Sequence, residues 1–91
     1  MPIVHEGLAR EFEYVTREDE REMILEQIEA GDALMQEMAY SLITGNHHAV
    51  DELTKQALGE GREANDVLDE GLISGMAVVG VKFRDNIIFV P

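Results

Sequence analysis

Ninety-one residues are enough for one small domain with one core. The chain has no cysteine, which excludes a disulfide framework and any thiolate metal site. Its net charge of -12 argues against nucleic-acid phosphates and anionic membrane surfaces as partners, because like charges repel.

No apolar run approaches the roughly 18 residues of a membrane span. The stretch from Met1 to Arg10 lacks the basic flank and apolar core of a signal peptide. Nothing asks for an oxidising compartment, and a cytoplasmic protein with an acidic, soluble surface is expected.

Residues 1–15, "MPIVHEGLAREFEYV", show no clean period. They read as a short helix over Gly7 to Val15 or as a loosely docked arm. "TRED" then sets the Thr16 hydroxyl before a first turn and Asp19 three places on, a capping-box arrangement. Met23, Ile24 and Ile28 fall on one face of this helix, and Gly31 is its expected stop.

Asp32 is the next expected N-cap. Leu34, Met35, Met38, Ala39, Leu42 and Ile43 recur at helical spacing, and Gly45 sits where a left-handed C-cap is wanted. Asn46 caps a further helix with Val50, Leu53, Ala57 and Leu58 on its apolar face, ended by "GEG" at 59–61. The short link predicts that these two helices lie antiparallel.

The last helix is the longest, with its regular part beginning at Asn65 or Asp66. Leu68, Leu72, Met76, Val79 and Phe83 step by helical intervals and form one apolar seam. Gly71, Gly75 and Gly80 lie inside the pattern, each costing about 1 kcal/mol of helix propensity relative to alanine. They imply close approach by another helix or by a ligand. The fold class is all-α, a small helical bundle.

Candidate chemistry is sparse. His47 and His48 are adjacent, so on a helix they point about 100° apart and do not share a metal ion as i,i+4 histidines do. Glu18, Asp19, Glu20, Glu22, Glu26 and Glu29 follow a solvated helix face. No calcium-binding helix–loop–helix, phosphate loop or Glu-x-x-His pair occurs. Met23, Met35, Met38 and Met76 suit either an irregular core or an adaptable binding surface.

The C-terminal stretch "DEGLISGMAVVGVKFRDNIIFVP", Asp69 to Pro91, carries Gly71-Leu72, Gly75-Met76, Val79-Gly80, Phe83 and, after a polar turn at Arg84-Asp85-Asn86, Phe89-Val90-Pro91. This pattern resembles the helical cap module of corrinoid proteins, as in methionine synthase and the methanol and methylamine methyltransferase systems. "DALMQEMAYSLITGNHHAVDELTKQALGEG", from Asp32 to Gly61, resembles the first two helices of that module. The resemblance divides the chain into an N-terminal arm and extra helix, residues 1–31, and a cap-like bundle, residues 32–91.

The resemblance implies a cap of the four-helix-bundle type that covers the upper face of cobalamin during methyl transfer and is not catalytic alone. By position it assigns Phe83 and Val90, with Phe89 and Met76, to that face. Ile87, Ile88, Phe89 and Val90 match the apolar elbow after the third helix, and Pro91 suits the first turn of a fourth. The expectation is that the bundle lacks this fourth helix and that the extra N-terminal helix replaces it.

The family's lower cobalt ligand is a histidine in an Asp-x-His-x-x-Gly motif on a separate α/β domain. None of His5, His47 and His48 is followed by glycine three places on. The implied partners are therefore that α/β domain or a methyltransferase subunit, and little cobalamin binding is expected of the isolated chain. The alternative reading is a small acidic interaction module without cobalamin function. Either way, its exposed apolar seam implies a homo-oligomer.

Overall fold

The computed structural model describes residues 3–85. Six α-helices and one π-helical segment follow in order: α1 (Glu6–Phe12), α2 (Glu18–Ala30), α3 (Ala33–Ile43), α4 (His47–Gly59), α5 (Ala64–Val67), the π segment (Leu68–Ile73) and α6 (Ser74–Arg84). The last three join end to end through residues with right-handed helical dihedrals, so they form one long rod. Among the described residues there is no strand.

The helix ends follow local chemistry in the middle of the chain. Asp32 caps α3 by accepting from the Met35 N–H at 3.2 Å, and Asn46 caps α4 by accepting from the Ala49 N–H at 3.1 Å. Between them Gly45 adopts φ 76°, a left-handed conformation that costs glycine nothing. α3 and α4 pack against each other across this turn.

Elsewhere tertiary packing moved the boundaries. α1 spans Glu6–Phe12 and is not a loose arm: Ile3, Leu8, Phe12 and Val15 are all buried. Each such side chain contributes about 1.5–3 kcal/mol on burial, enough to hold a short helix in place. The Thr16 cap is not used. α2 starts at Glu18 with Arg17 as N-cap and no side-chain cap bond. Burial of Val15 and donation from Arg21 Nη1 to the Val15 carbonyl at 2.6 Å set where the chain enters this helix. Glu18, Asp19 and Glu20 in its first turn complement the helix dipole instead.

Ile24 and Ile28 of α2 are buried, whereas Met23 is turned outward and 61% exposed, so the expected shared face does not form. One core cluster unites Ile3, Leu8, Phe12, Val15, Ile24 and Ile28 of the N-terminal segment with Ala39, Ile43, Val78 and Val81. A second holds Met35, Met38, Ala57 and Val67. α1 thus lies on α3, and α2 lies on α6 and the π segment.

Polar contacts fasten the same arrangement. Gln36, buried on α3, accepts from the Val4 and His5 N–H groups at 2.8 and 3.0 Å through its Oε1. Lys82 Nζ reaches Glu11 Oε2 at 2.7 Å and lies 5.0 Å from the centre of the Tyr14 ring, tying α6 to α1.

Candidate functional site

The long C-terminal rod has two faces of different character. Its inward face is Val67, Gly71, Ser74, Gly75, Val78 and Val81, all buried. A Cβ on Gly71 would stand 2.7 Å from Met38 Sδ, and one on Gly75 would stand 3.0 Å from the Ala39 carbonyl oxygen. These two glycines let the rod lie directly on α3. The Ser74 hydroxyl stays within the rod, donating to the carbonyls of Glu70 and Gly71 at 2.9 and 3.1 Å across the end of the π segment.

The apolar seam anticipated from helical spacing is mostly the other face. Leu68, Met76 and Phe83 are exposed, Met76 to 56% and Phe83 to 43%, with Leu72 and Val79 half-buried at its border. Gly80 stands between Met76 and Phe83, four residues after one and three before the other, so the three share a strip two turns long. Gly80 is unlike its two counterparts: among the described residues nothing lies within 4 Å of a Cβ placed there. Internal packing therefore does not require a glycine here. The strip is apolar, outward-facing and notched at its centre.

Met76 and Phe83, two of the four anticipated contact residues, are thus on one surface. Phe89 and Val90 lie outside the described residues, as do the apolar run from Ile87 and the helix start at Pro91.

A groove of about 340 Å³ adjoins the strip, lined by Glu20, Met23, Ile24 and Gln27 of α2 and by Ala77, Gly80, Val81 and Arg84 of α6. Gly80 belongs to both the strip and the groove. Two of the lining residues each carry an oxygen, Glu20 Oε1 and Gln27 Oε1, that is turned away from solvent and has no hydrogen-bond partner among the described residues. By sequence α2 has an acidic, solvated face and an apolar face of Met23, Ile24 and Ile28, which does not indicate a groove. The signal available in the sequence was Met23, a large apolar residue one position away from the core row.

One end of the groove is closed by charge. Arg84 donates to Glu20 Oε2 at 2.6 Å and to Asp85 Oδ1 at 3.0 Å. These bonds hold the Glu20 and Asp85 carboxyls below their ordinary range and raise the Arg84 guanidinium further above its own. All remain charged near neutrality, so the pair is a fixed rim and not a proton donor. Across the molecule, Arg62 grips both oxygens of Asp32 at 3.1 and 2.8 Å and, first among the causes, lowers the Asp32 pKa.

The histidines are spent or dispersed. His5 Nδ1 accepts from the Leu8 N–H at 3.1 Å, and its ring lies 4.7 Å from that of Tyr40. His47 and His48 are exposed at the start of α4. Among the described residues no group of three or more His, Cys, Asp or Glu is placed to hold a metal ion. A larger cleft, about 540 Å³, runs beside Gly7, Arg10, Glu11, Glu13, Tyr14 and Tyr40. Its charged lining lacks the apolar floor of the α2–α6 groove.

Comparison with known proteins bears on the strip. The family model for the B12 binding domain matches residues 34–91. A corrinoid protein of Desulfitobacterium hafniense (strain Y51) is 30% identical over 59 residues, which is 65% of this chain and 27% of that protein. The chain therefore spans about a quarter of the length of the curated relative it matches. No solved structure matches it. The strip on α6 lies inside the matched region, whereas α1 and α2 lie outside it.

Proposed function

The chain belongs to the B12 binding domain family, and we propose on that premise that residues 32–91 are the cap module of a corrinoid methyl carrier, with residues 1–31 an added arm. The observation that carries this reading is the Met76–Gly80–Phe83 strip. A corrin ring offers a broad, nearly flat apolar face. A fitting surface is apolar and lacks a projecting side chain at its centre. Met76 and Phe83 supply the apolar contacts, and Gly80 lets the helix backbone approach between them. Phe89 and Val90 extend this contact set in the proposal.

Bound cobalamin would supply the cobalt-centred methyl chemistry, and the chain's own residues contribute shelter. Met76 and Phe83 exclude water from the ring's upper face, which limits side reactions at a reactive centre. No side chain of the strip titrates, so the module adds no acid or base of its own. It is not an enzyme alone. His5 is committed to the start of α1, and neither His47 nor His48 is followed by glycine three places on, so in this reading the lower ligand comes from a partner: an α/β cobalamin-binding domain or a methyltransferase subunit. The acidic surface turns away the phosphate of the nucleotide tail, consistent with contact at the opposite, amide-fringed side of the ring. Cobalamin should bind the isolated chain weakly.

The test uses a corrinoid protein carrying this segment as its cap. Phe83→Ala should expose the upper face and raise the photolysis rate and solvent reactivity of bound methylcobalamin. Unchanged rates in that variant would remove the basis for a capping role.

A further inference from the structure

The strip accounts for Met76, Gly80 and Phe83, but not for the groove beside it. The floor of that groove is apolar, with Met23 and Ile24 from α2 and Ala77, Gly80 and Val81 from α6. Met23 is mostly exposed, and a flexible methionine beside small residues makes an adaptable apolar seat. The α2 rim differs from the floor. Asp19 and Glu26 stand four residues before and three residues after Met23, so the three share one face of α2. Both acids are exposed, and neither has an ion pair or a side-chain hydrogen bond among the described residues. Glu20, at the groove end, is instead held by Arg84. The groove thus combines an apolar floor with two free negative charges, about 10 Å apart along the helix axis.

We infer that the α2–α6 groove docks a cationic amphipathic helix of a partner protein, with a ridge of apolar side chains in the groove and lysine or arginine side chains against Asp19 and Glu26. A trough between two helices accepts the ridge that a third helix presents at i, i+3 or i+4, and i+7. Cations two turns apart on the flank of that ridge meet both carboxylates, because helices laid side by side share one rise per residue. Gly80 lets the ridge come down to the α6 backbone: nothing described lies within 4 Å of a Cβ there, and Ala77, one turn earlier, adds little bulk. Charge selects among the occupants. A second copy brings 19 acidic residues against 7 basic ones to an acidic rim. The chain's own apolar run from Ile87 to Val90 carries no cation for that rim. The inference stands apart from the cap reading, since its charged rim is on α2, which the family match does not cover.

The experiment titrates the full chain, labelled at its methionine methyls, with two synthetic peptides of about 16 residues, long enough to hold a helix. Both carry the same leucine stripe on an alanine background; one has lysines on its flanks and the other glutamines. At physiological salt the lysine peptide should shift the Met23 signal and leave those of buried Met35 and Met38 in place. Asp19→Asn with Glu26→Gln should weaken the lysine peptide about three- to tenfold, to the level of the glutamine peptide, which these changes leave unaltered. The same charge change on α4, Asp51→Asn with Glu52→Gln, should alter neither peptide, because α4 packs on α3 and α5 and salt screens exposed charge beyond about 8 Å. Gly80→Leu fills the notch and should weaken both peptides at least about tenfold. Met23→Gln changes an exposed side chain, so it folds, and should weaken both about threefold. Unchanged Met35 and Met38 signals verify the fold of each variant. Equal losses from the two charge pairs, or no loss from Gly80→Leu and Met23→Gln, overturn the docking site. So does a Met23 signal that responds to neither peptide but moves with chain concentration or on removal of residues 87–91, since the occupant is then a second copy or the chain's own tail. No cobalamin enters the titration, so failure here leaves the cap reading to its own photolysis test.

Discussion

Gly75 and Gly80 are the same residue type on the same helix, and the structure assigns them opposite sensitivities. A Cβ on Gly75 meets the Ala39 carbonyl oxygen at 3.0 Å and the Ala39 Cα at 3.1 Å. Backbone cannot move aside as a side-chain tip can, so Gly75→Ala should destabilise the fold by about 1–3 kcal/mol. Gly80→Ala meets nothing among the described residues and should stabilise it by up to about 1 kcal/mol through helix propensity. Urea unfolding of the two variants gives the comparison, and a loss of stability in Gly80→Ala would show that the site is not open. If the cap reading holds, the same alanine should weaken cobinamide contact despite the better fold. Asp32 offers a second test. Its folded pKa is depressed, first by Arg62 and then by the Met35 N–H it caps. The stabilisation is therefore present above the ordinary Asp value of about 3.9 and is lost as pH falls through the lower folded value. Asp32→Asn keeps a capping oxygen and removes the charge, so it should flatten this part of the acid limb. Stability measured from pH 7 down to acid, at low and high salt, reads the difference.

Among the elements, the rod formed by α5, the π segment and α6 decides the character of the molecule. Helical spacing correctly finds its apolar seam but does not say that the opposite face, built from glycines, Ser74 and three valines, is the one that docks. The π segment changes the phase between Val67 and Val78, so a uniform 100° step cannot carry the facing from one end to the other. At the far end Lys82 joins the rod to α1 through Glu11, with little exposure on either side chain: 8% and 18%. Lys82→Met removes one partner and leaves Glu11 with a poorly solvated charge, a loss of about 1–3 kcal/mol. Combining it with Glu11→Leu should recover most of that loss, because an apolar pair needs no compensation. A double-mutant cycle in urea checks this. Additive losses would mean that the ion pair does not couple the two helices.

For the whole molecule, two opposing terms govern association. A charge of -12 on each chain repels a second copy, whereas Met23, Met76 and Phe83 present apolar surface to water. Screening confines exposed charge to about 8 Å at physiological ionic strength, while apolar burial persists. The expected outcome is a monomer–dimer equilibrium that salt strengthens and Phe83→Asp weakens. Sedimentation equilibrium across a concentration series measures it, and a constant monomer mass would rule out the dimer. The N-terminal helices raise a separate question. Because Ala39, Ile43, Val78 and Val81 share one core with Leu8, Phe12, Val15, Ile24 and Ile28, a fragment of residues 32–91 should lose cooperative unfolding or aggregate. A sharp melt of that fragment would show that the arm is dispensable.

The sequence by itself determined what depends on near neighbours. Asp32 and Asn46 cap helices because each bonds an N–H three residues on, and Gly45 ends one because only its own φ is at stake. The all-α class and the cap-like motif from Gly71 to Phe83 were legible for the same reason, since both reside in short spacings along one chain. Tertiary structure alone decided which glycines pack and which is open, because the answer lies in α3 and not in the rod. It also placed the start of α2, drew α1 into the core, and paired Lys82 with Glu11 across 71 positions. It set Met23 and Gln27 beside Gly80, making a groove between α2 and α6 that neither helix announces by itself. Such contacts join residues far apart in the chain, and no local spacing encodes which distant face will meet them.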